Sequence, residues 1–159
     1  MIRNGVMAPE LTVAGWLNTP GELSLQGLRG RVVVLHAFQM LCPGCVSHGL
    51  PQAVAIHELY PRDQVQVIGL HTVFEHHQVM TADALKVFAH EYRLPFPIAI
   101  DLPAATGPIP VMMQKLNLRG TPSLVLIDKA GTIRFTHLGP VGDMQVGNMI
   151  GQLLMEGSG

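Results

Sequence analysis

The stretch on which the fold turns is Arg31-Val32-Val33-Val34-Leu35-His36-Ala37-Phe38, which runs through Gln39, Met40 and Leu41 into Cys42-Pro43-Gly44-Cys45. The first eight residues are almost continuously apolar and rich in β-branched valine. Such a run suits a central strand buried on both faces. The cysteine pair then opens a predicted helix over residues 42–60, in which Val46, Leu50, Val54 and Leu59 recur near helical spacing. Pro43 falls in the first turn, where its missing N–H has no helical partner to lose. Pro51 lies inside the helix and is expected to kink it or to cost it a hydrogen bond.

That placement gives the thiols their chemistry. A cysteine at a helix N-terminus lies beside unpaired backbone N–H groups and the positive end of the helix dipole. Both favour thiolate, so its pKa is expected below the free value of about 8.5. The i, i+3 spacing lets the second sulfur reach back over the first turn. Cys42 therefore reads as the exposed nucleophile and Cys45 as the buried thiol that resolves a mixed disulfide. Three other readings of the pair stand beside this one: half of a zinc site, two inert core thiols, or a structural disulfide. Zinc wants four ligands, and the chain has only two cysteines. His57 stands near finger offset, but no histidine follows it at finger spacing. A disulfide closing so short a loop adds little stability.

Working outward, Leu11–Trp16 alternates weakly as an edge strand, Thr19-Pro20-Gly21 is a turn, and Leu23–Leu28 is a helical turn ended by Gly30. Val65–Leu70 is a second buried strand. Thr81 caps a helix over Thr81–Tyr92. Phe96–Ile100 is a short strand, Leu102–Pro110 a loop, and Val111–Leu116 a short helix. Ser123–Ile127 and Thr132–His137 form a hairpin across Asp128-Lys129-Ala130-Gly131. A last helix covers Asp143–Met155. Parallel units first and an antiparallel hairpin last predict an α/β fold, a central mixed sheet with helices on both faces.

Composition bounds the rest. The 159 residues are 48% hydrophobic and only 13% charged, with a formal net charge of −1. That excludes a disordered chain and suits one domain over 1–159, with an extra N-terminal strand segment at about 8–30. So few charges hint at an apolar patch for a partner chain, a second copy included, or for an extended substrate. No basic cluster marks a nucleic-acid partner. No run reaches the length of a membrane span. Without an apolar leader segment the chain reads as cytoplasmic, although a secreted domain trimmed of its leader would read the same.

The sequence resembles the thioredoxin superfamily, most of all its TlpA-like, redoxin branch. The resemblance covers about Met7 to Leu154. It rests on Ala8-Pro9-Glu10-Leu11, on Arg31–Phe38 running into the cysteine motif, on Arg119-Gly120-Thr121-Pro122-Ser123, and on the hairpin Leu126–Ile133. It implies a thioredoxin-like fold and a thiol–disulfide oxidoreductase that exchanges a Cys42/Cys45 dithiol with protein substrates. A redox partner would recycle it, and no cofactor or metal would be needed. It also implies a cis Thr121–Pro122 peptide facing the cysteines, with the Thr121 backbone free to pair with an extended substrate, and with Pro43 and Gly44 both binding that substrate and tuning the pair. An ordinary trans turn before a strand is the alternative at Pro122.

The departures matter as much. Leu41 stands where the family usually has Trp. His36 stands six residues before Cys42, where the superfamily often places a buried carboxylate. It reads equally as a proton acceptor for the buried thiol or as a packed sheet residue. Pro51 comes one residue late, and with Gly49 nearby this predicts a π-bulge or a sharper kink. Two further activities compete with exchange. A peroxiredoxin-like peroxidase would need a Pro and a hydroxyl where Leu35 and Gln39 stand. A metal- or haem-delivery module would use the cysteines as soft ligands. His76 and His77, in a predicted loop with His71 just upstream, read as solvated loop residues or, with His71, as a metal group, and His48 as facing the site or solvent. Met40, Met112 and Met113 read as core or as the lining of a substrate groove. Pro108–Met113 looks like added material that shapes such a groove.

Overall fold

The computed structural model describes residues 1–157, so residues 158 and 159 of the expected domain span lie outside the described residues. Its strands are β1 (Val13–Leu17), β2 (Val32–Phe38), β3 (Val65–His71), β4 (Ile98–Asp101), β5 (Ser123–Ile127) and β6 (Ile133–Leu138). They form one sheet in the order β1-β4-β3-β2-β5-β6. β2, β3 and β4 are parallel neighbours; β1, β5 and β6 join antiparallel. Every residue of β2 is buried, as its unbroken apolar run predicts for a strand covered on both faces.

The period-2 alternation of β2 splits the core in two. Val32, Val34 and Phe38 face α1 (Leu50–Leu59), α2 (Ala82–Glu91) and α4 (Asp143–Met155). Val33, Leu35 and Ala37 face the other way, onto Leu25, Leu28 and the methionines of α3 (Val111–Lys115). Large side chains such as Phe38, Leu35 and Ile68 are fully buried, each worth roughly 1.5–3 kcal/mol of transfer free energy. Met40, Met112 and Met113 are all buried, so they are core and do not line a groove.

Between the cysteines and α1 lies a π-helical turn, Cys45–Gly49, in which the Leu50 N–H bonds to the Cys45 carbonyl. This is the extra residue that the late Pro51 announces. Pro51 follows at once and has no N–H to continue either ladder, so the register resets there. The insertion rotates the buried face. Leu50, Ala53, Ile56 and His57 point inward, while Leu59, expected on that face, is exposed.

The first residues carry no alternation typical of a strand, yet they run along β6. The Arg3 N–H donates to the Arg134 carbonyl (3.0 Å), Ile133 N–H to the Val6 carbonyl (2.8 Å) and Ala8 N–H to the Gly131 carbonyl (2.9 Å). This covers an edge that would otherwise be open to pairing with another chain.

Candidate active site

The carboxyl ends of β2, β3 and β4 meet at one edge of the sheet, where ligands of α/β proteins usually bind. β2 delivers Gln39–Cys42 to that edge. The loop is held from both sides. The Thr72 N–H donates to the Phe38 carbonyl (3.1 Å), and the Phe74 N–H donates to the buried Gln39 Oε1 (3.1 Å).

Cys42 is half-buried and Cys45 fully buried, and both are free thiols. The Cys45 N–H donates to Cys42 Sγ at 3.3 Å, so the helix N-terminus is aimed at the outer sulfur. Burial pushes the Cys45 thiol up to about 12, and its hydrogen bond to Cys42 acts in the same direction. The Gln39 backbone and the Thr121 side chain pull the other way. The outer thiol thus has a donor directed at it, while the inner one is held protonated.

The Thr121–Pro122 peptide is cis. Pro122 packs on the cysteine turn: a Cβ on Gly44 would stand 3.3 Å from its Cδ. Its carbonyl accepts the Gly139 N–H at 2.8 Å. The N–H and C=O of Thr121 make no backbone hydrogen bond among the described residues. Leu41, in the place of the usual Trp, is 60% exposed beside Cys42.

His36 lies on the β2 face turned toward the π turn. Its ring occupies the space where a Cβ on Gly49 would stand, and that same point is 3.2 Å from Pro122 Cβ. His36 Nε2 is buried with no hydrogen-bond partner. Burial, and secondarily the charge of His48, pushes its pKa down to about 4. The ring is therefore neutral near pH 7. His48 Nε2 donates to the Val141 carbonyl (3.0 Å), and Gln52 Nε2 donates to the same oxygen (2.7 Å), tying the β6–α4 loop to the cysteine helix.

The histidine group divides. His71 is the last residue of β3 and buried, whereas His76 and His77, expected in a loop, are exposed. Among the described residues no group of three or more His, Cys, Asp or Glu is placed to hold a metal ion. Sequence reasoning missed two structural features here. His71 Nε2 accepts the Met40 N–H (3.3 Å). Asp101 accepts the N–H groups of Met112 (2.8 Å) and Met113 (3.1 Å) and the Thr72 hydroxyl (2.9 Å), and so caps α3. The one signal for His71 was its position directly after an apolar strand.

This fold and this cysteine site define a thioredoxin-fold protein of the thiol–disulfide oxidoreductase class. The chain belongs to the Redoxin family, whose model matches residues 3–153. It is similar to the solved thioredoxin-like superfamily protein SPOA0173, with 51% identity and a TM-score of 0.94 over 96% of this chain and 98% of that one. A thiol-disulfide isomerase from Corynebacterium glutamicum shares 53% identity at a TM-score of 0.89, over 94% of this chain and 98% of that one. Protein DipZ of Mycobacterium tuberculosis is 32% identical over 142 residues, 87% of this chain and 19% of that protein. The chain thus spans less than a fifth of the length of the curated relatives it matches. Among the described residues no helix is long and apolar enough to cross a membrane.

Proposed function

We propose that this chain, acting as one domain, exchanges a Cys42/Cys45 dithiol for disulfides in protein substrates. The observation that carries this reading is the asymmetry of the pair: a half-buried Cys42 sulfur that receives the Cys45 N–H, backed by a fully buried thiol held protonated. In the reductive direction, the Cys42 thiolate attacks one sulfur of a substrate disulfide. A mixed disulfide forms, and the other substrate sulfur leaves as thiolate and takes a proton. Cys45 then gives up its proton and attacks Cys42 Sγ, which releases the second substrate thiol. Two electrons have moved to the substrate, the Cys42–Cys45 disulfide remains, and a partner dithiol must reduce it.

The residues around the pair enter the proposal with separate roles. Thr121, with its unpaired backbone groups, holds an extended substrate segment as an added strand. Pro122 packs against Gly44 and shields the pair, and Pro43 opens the turn. His36 is a buried, neutral imidazole whose unpaired Nε2 serves as the transient acceptor of the Cys45 proton. Cytoplasmic placement belongs to this reading too, and fractionation of cells with a tagged full-length protein tests it.

The central test is trapping. Cys45→Ser should accumulate a mixed disulfide through Cys42, Cys42→Ser should form none, and the wild type should reduce insulin. If Cys45→Ser traps no partner and the wild type leaves insulin intact, exchange with proteins is not what this chain does. The reduction potential of the pair then assigns the direction: near or below the cytosolic poise it donates electrons, and well above it accepts them.

A further inference from the structure

The turn that presents Cys42 is closed by the Cys42 N–H, which donates to the Gln39 carbonyl at 3.1 Å. Met40 stands at its corner and is buried. The Met40 N–H donates to His71 Nε2 at 3.3 Å. The Gln39 backbone, one residue earlier on the same turn, hydrogen-bonds Cys45 in the direction that favours thiolate. The turn thus carries the outer thiol at its end and touches the inner thiol at its start. Nothing in the exchange chemistry above uses His71.

The parallel register of β2 and β3 sets His71 against Phe38, and the two rings lie 5.1 Å apart, tilted. His71 is only 2% exposed. Burial keeps its ring neutral near pH 7, and a neutral imidazole has one nitrogen able to accept. The ring also borders a cavity of about 350 Å³ that is lined by Val73, Met80 and Pro108, the last from the stretch read as added material. With open space there, packing alone does not fix the ring; Phe38 and the Met40 N–H do. A buried backbone N–H without an acceptor is costly, so the corner of the turn stays on His71.

The two sulfurs depend on this turn unequally. Cys42 Sγ receives the Cys45 N–H, which belongs to the helix. Cys45 is supported by the Gln39 backbone, which belongs to the turn and adjoins the residue that His71 holds. In the exchange sequence Cys45 must lose its proton before it attacks Cys42 Sγ. A displaced turn therefore slows the second step and spares the first.

We propose that His71 is a positioning residue for the second step of exchange: by holding the Met40 N–H it keeps the Gln39 backbone on Cys45 while that thiol attacks the mixed disulfide. This role rests on the exchange reading and adds a residue to it. His71 touches no reacting atom; it acts through the turn.

Ellman's reagent, an aryl disulfide, separates the two steps in the full-length reduced protein. The Cys42 thiolate attacks it and releases one coloured aryl thiolate. Cys45 then loses its proton, displaces the second aryl thiolate from Cys42, and the Cys42–Cys45 disulfide remains. Stopped-flow absorbance reads a first phase that depends on reagent concentration and a second that does not. His71→Phe keeps a ring against Phe38 and removes the acceptor. It should slow the second phase about five-fold, the worth of one net hydrogen bond, and leave the first within about two-fold. His71→Gln supplies an amide oxygen as acceptor and should return the second phase to within about two-fold of the wild type. If His71→Phe does not fold, nitrogen NMR of the reduced wild type decides: His71 Nε2 should be unprotonated and coupled to the Met40 amide. The proposal is overturned if His71→Phe leaves the second phase unchanged, if both phases slow alike, if His71→Gln is as slow as His71→Phe, or if Nε2 carries the proton. Insulin reduction is read separately. A wild type that shows both phases and leaves insulin intact would overturn exchange with proteins, while the slowed second phase of His71→Phe would still support the role of His71.

Discussion

The imidazole of His36 fills the volume that a side chain at Gly49 would need. Glycine at 49 is therefore required by a contact with β2, not by helix propensity. Gly49→Ala forces the ring or the π turn to move and should destabilise the protein by about 1–3 kcal/mol, as overpacking does. Adding His36→Ala should relieve much of that loss, so the two substitutions will not be additive. Urea unfolding of the four proteins in this cycle measures the coupling. Additive losses would mean that the two residues do not oppose each other.

Stability should fall in acid. Burial pushes His36 and His71 from 6.5 to about 4. Between those values the unfolded chain binds protons that the folded one refuses, so stability rises with pH across the window. It is complete above about pH 6.5 and lost as the pH falls toward 4. The loss is at most about 3 kcal/mol per ring, at about 1.4 kcal/mol per pKa unit. Urea midpoints at several pH values check this, and the slope should flatten in His36→Leu and again on adding His71→Phe. An unchanged slope in both would assign the acid sensitivity elsewhere.

Alkylation should distinguish the thiols. With its pKa near 12, only about 10⁻⁴ of Cys45 is thiolate at pH 8. Iodoacetamide should modify Cys42 of the folded, reduced protein and leave Cys45 untouched, whereas both should react in urea. Peptide mapping by mass spectrometry reads the ratio. The same raised pKa means that Cys45 stabilises the fold below about pH 9, and that this contribution fades as the pH climbs toward 12.

Asp101 is expected to be structural. It satisfies two N–H groups at the start of α3 and the buried Thr72 hydroxyl. Asp101→Ala removes a cap and orphans these donors, and should cost about 2 kcal/mol. Asp101→Asn keeps one acceptor oxygen and should cost less. Thermal unfolding ranks the two.

Much of this was legible in the chain because local patterns carry it. The apolar run of β2, the Thr81 cap, the hairpin turn at Asp128–Gly131 and the bounds of α4 all follow from residue spacing and turn chemistry. The late Pro51 even marked the π turn. The inward face of α1 departs from the simple helical spacing, since the inserted residue rotates every position after it and leaves Leu59 in solvent. The N-terminal pairing with β6 was not legible either, because a partner about 130 residues away leaves no periodic signal.

The cysteine motif makes the division plain. The sequence by itself determined that two thiols stand three apart after a buried strand and at the opening of a helix, since strand run, cysteine spacing and Pro43 are local properties. Only the tertiary structure decided which sulfur is shielded, that Pro122 rests on Gly44, that His36 lies under Gly49 with a bare Nε2, and that His71 joins Met40 to a neighbouring cavity. Burial and the meeting of distant segments are properties of the folded chain, and they set the proton affinity of Cys45 and the shape of everything around it.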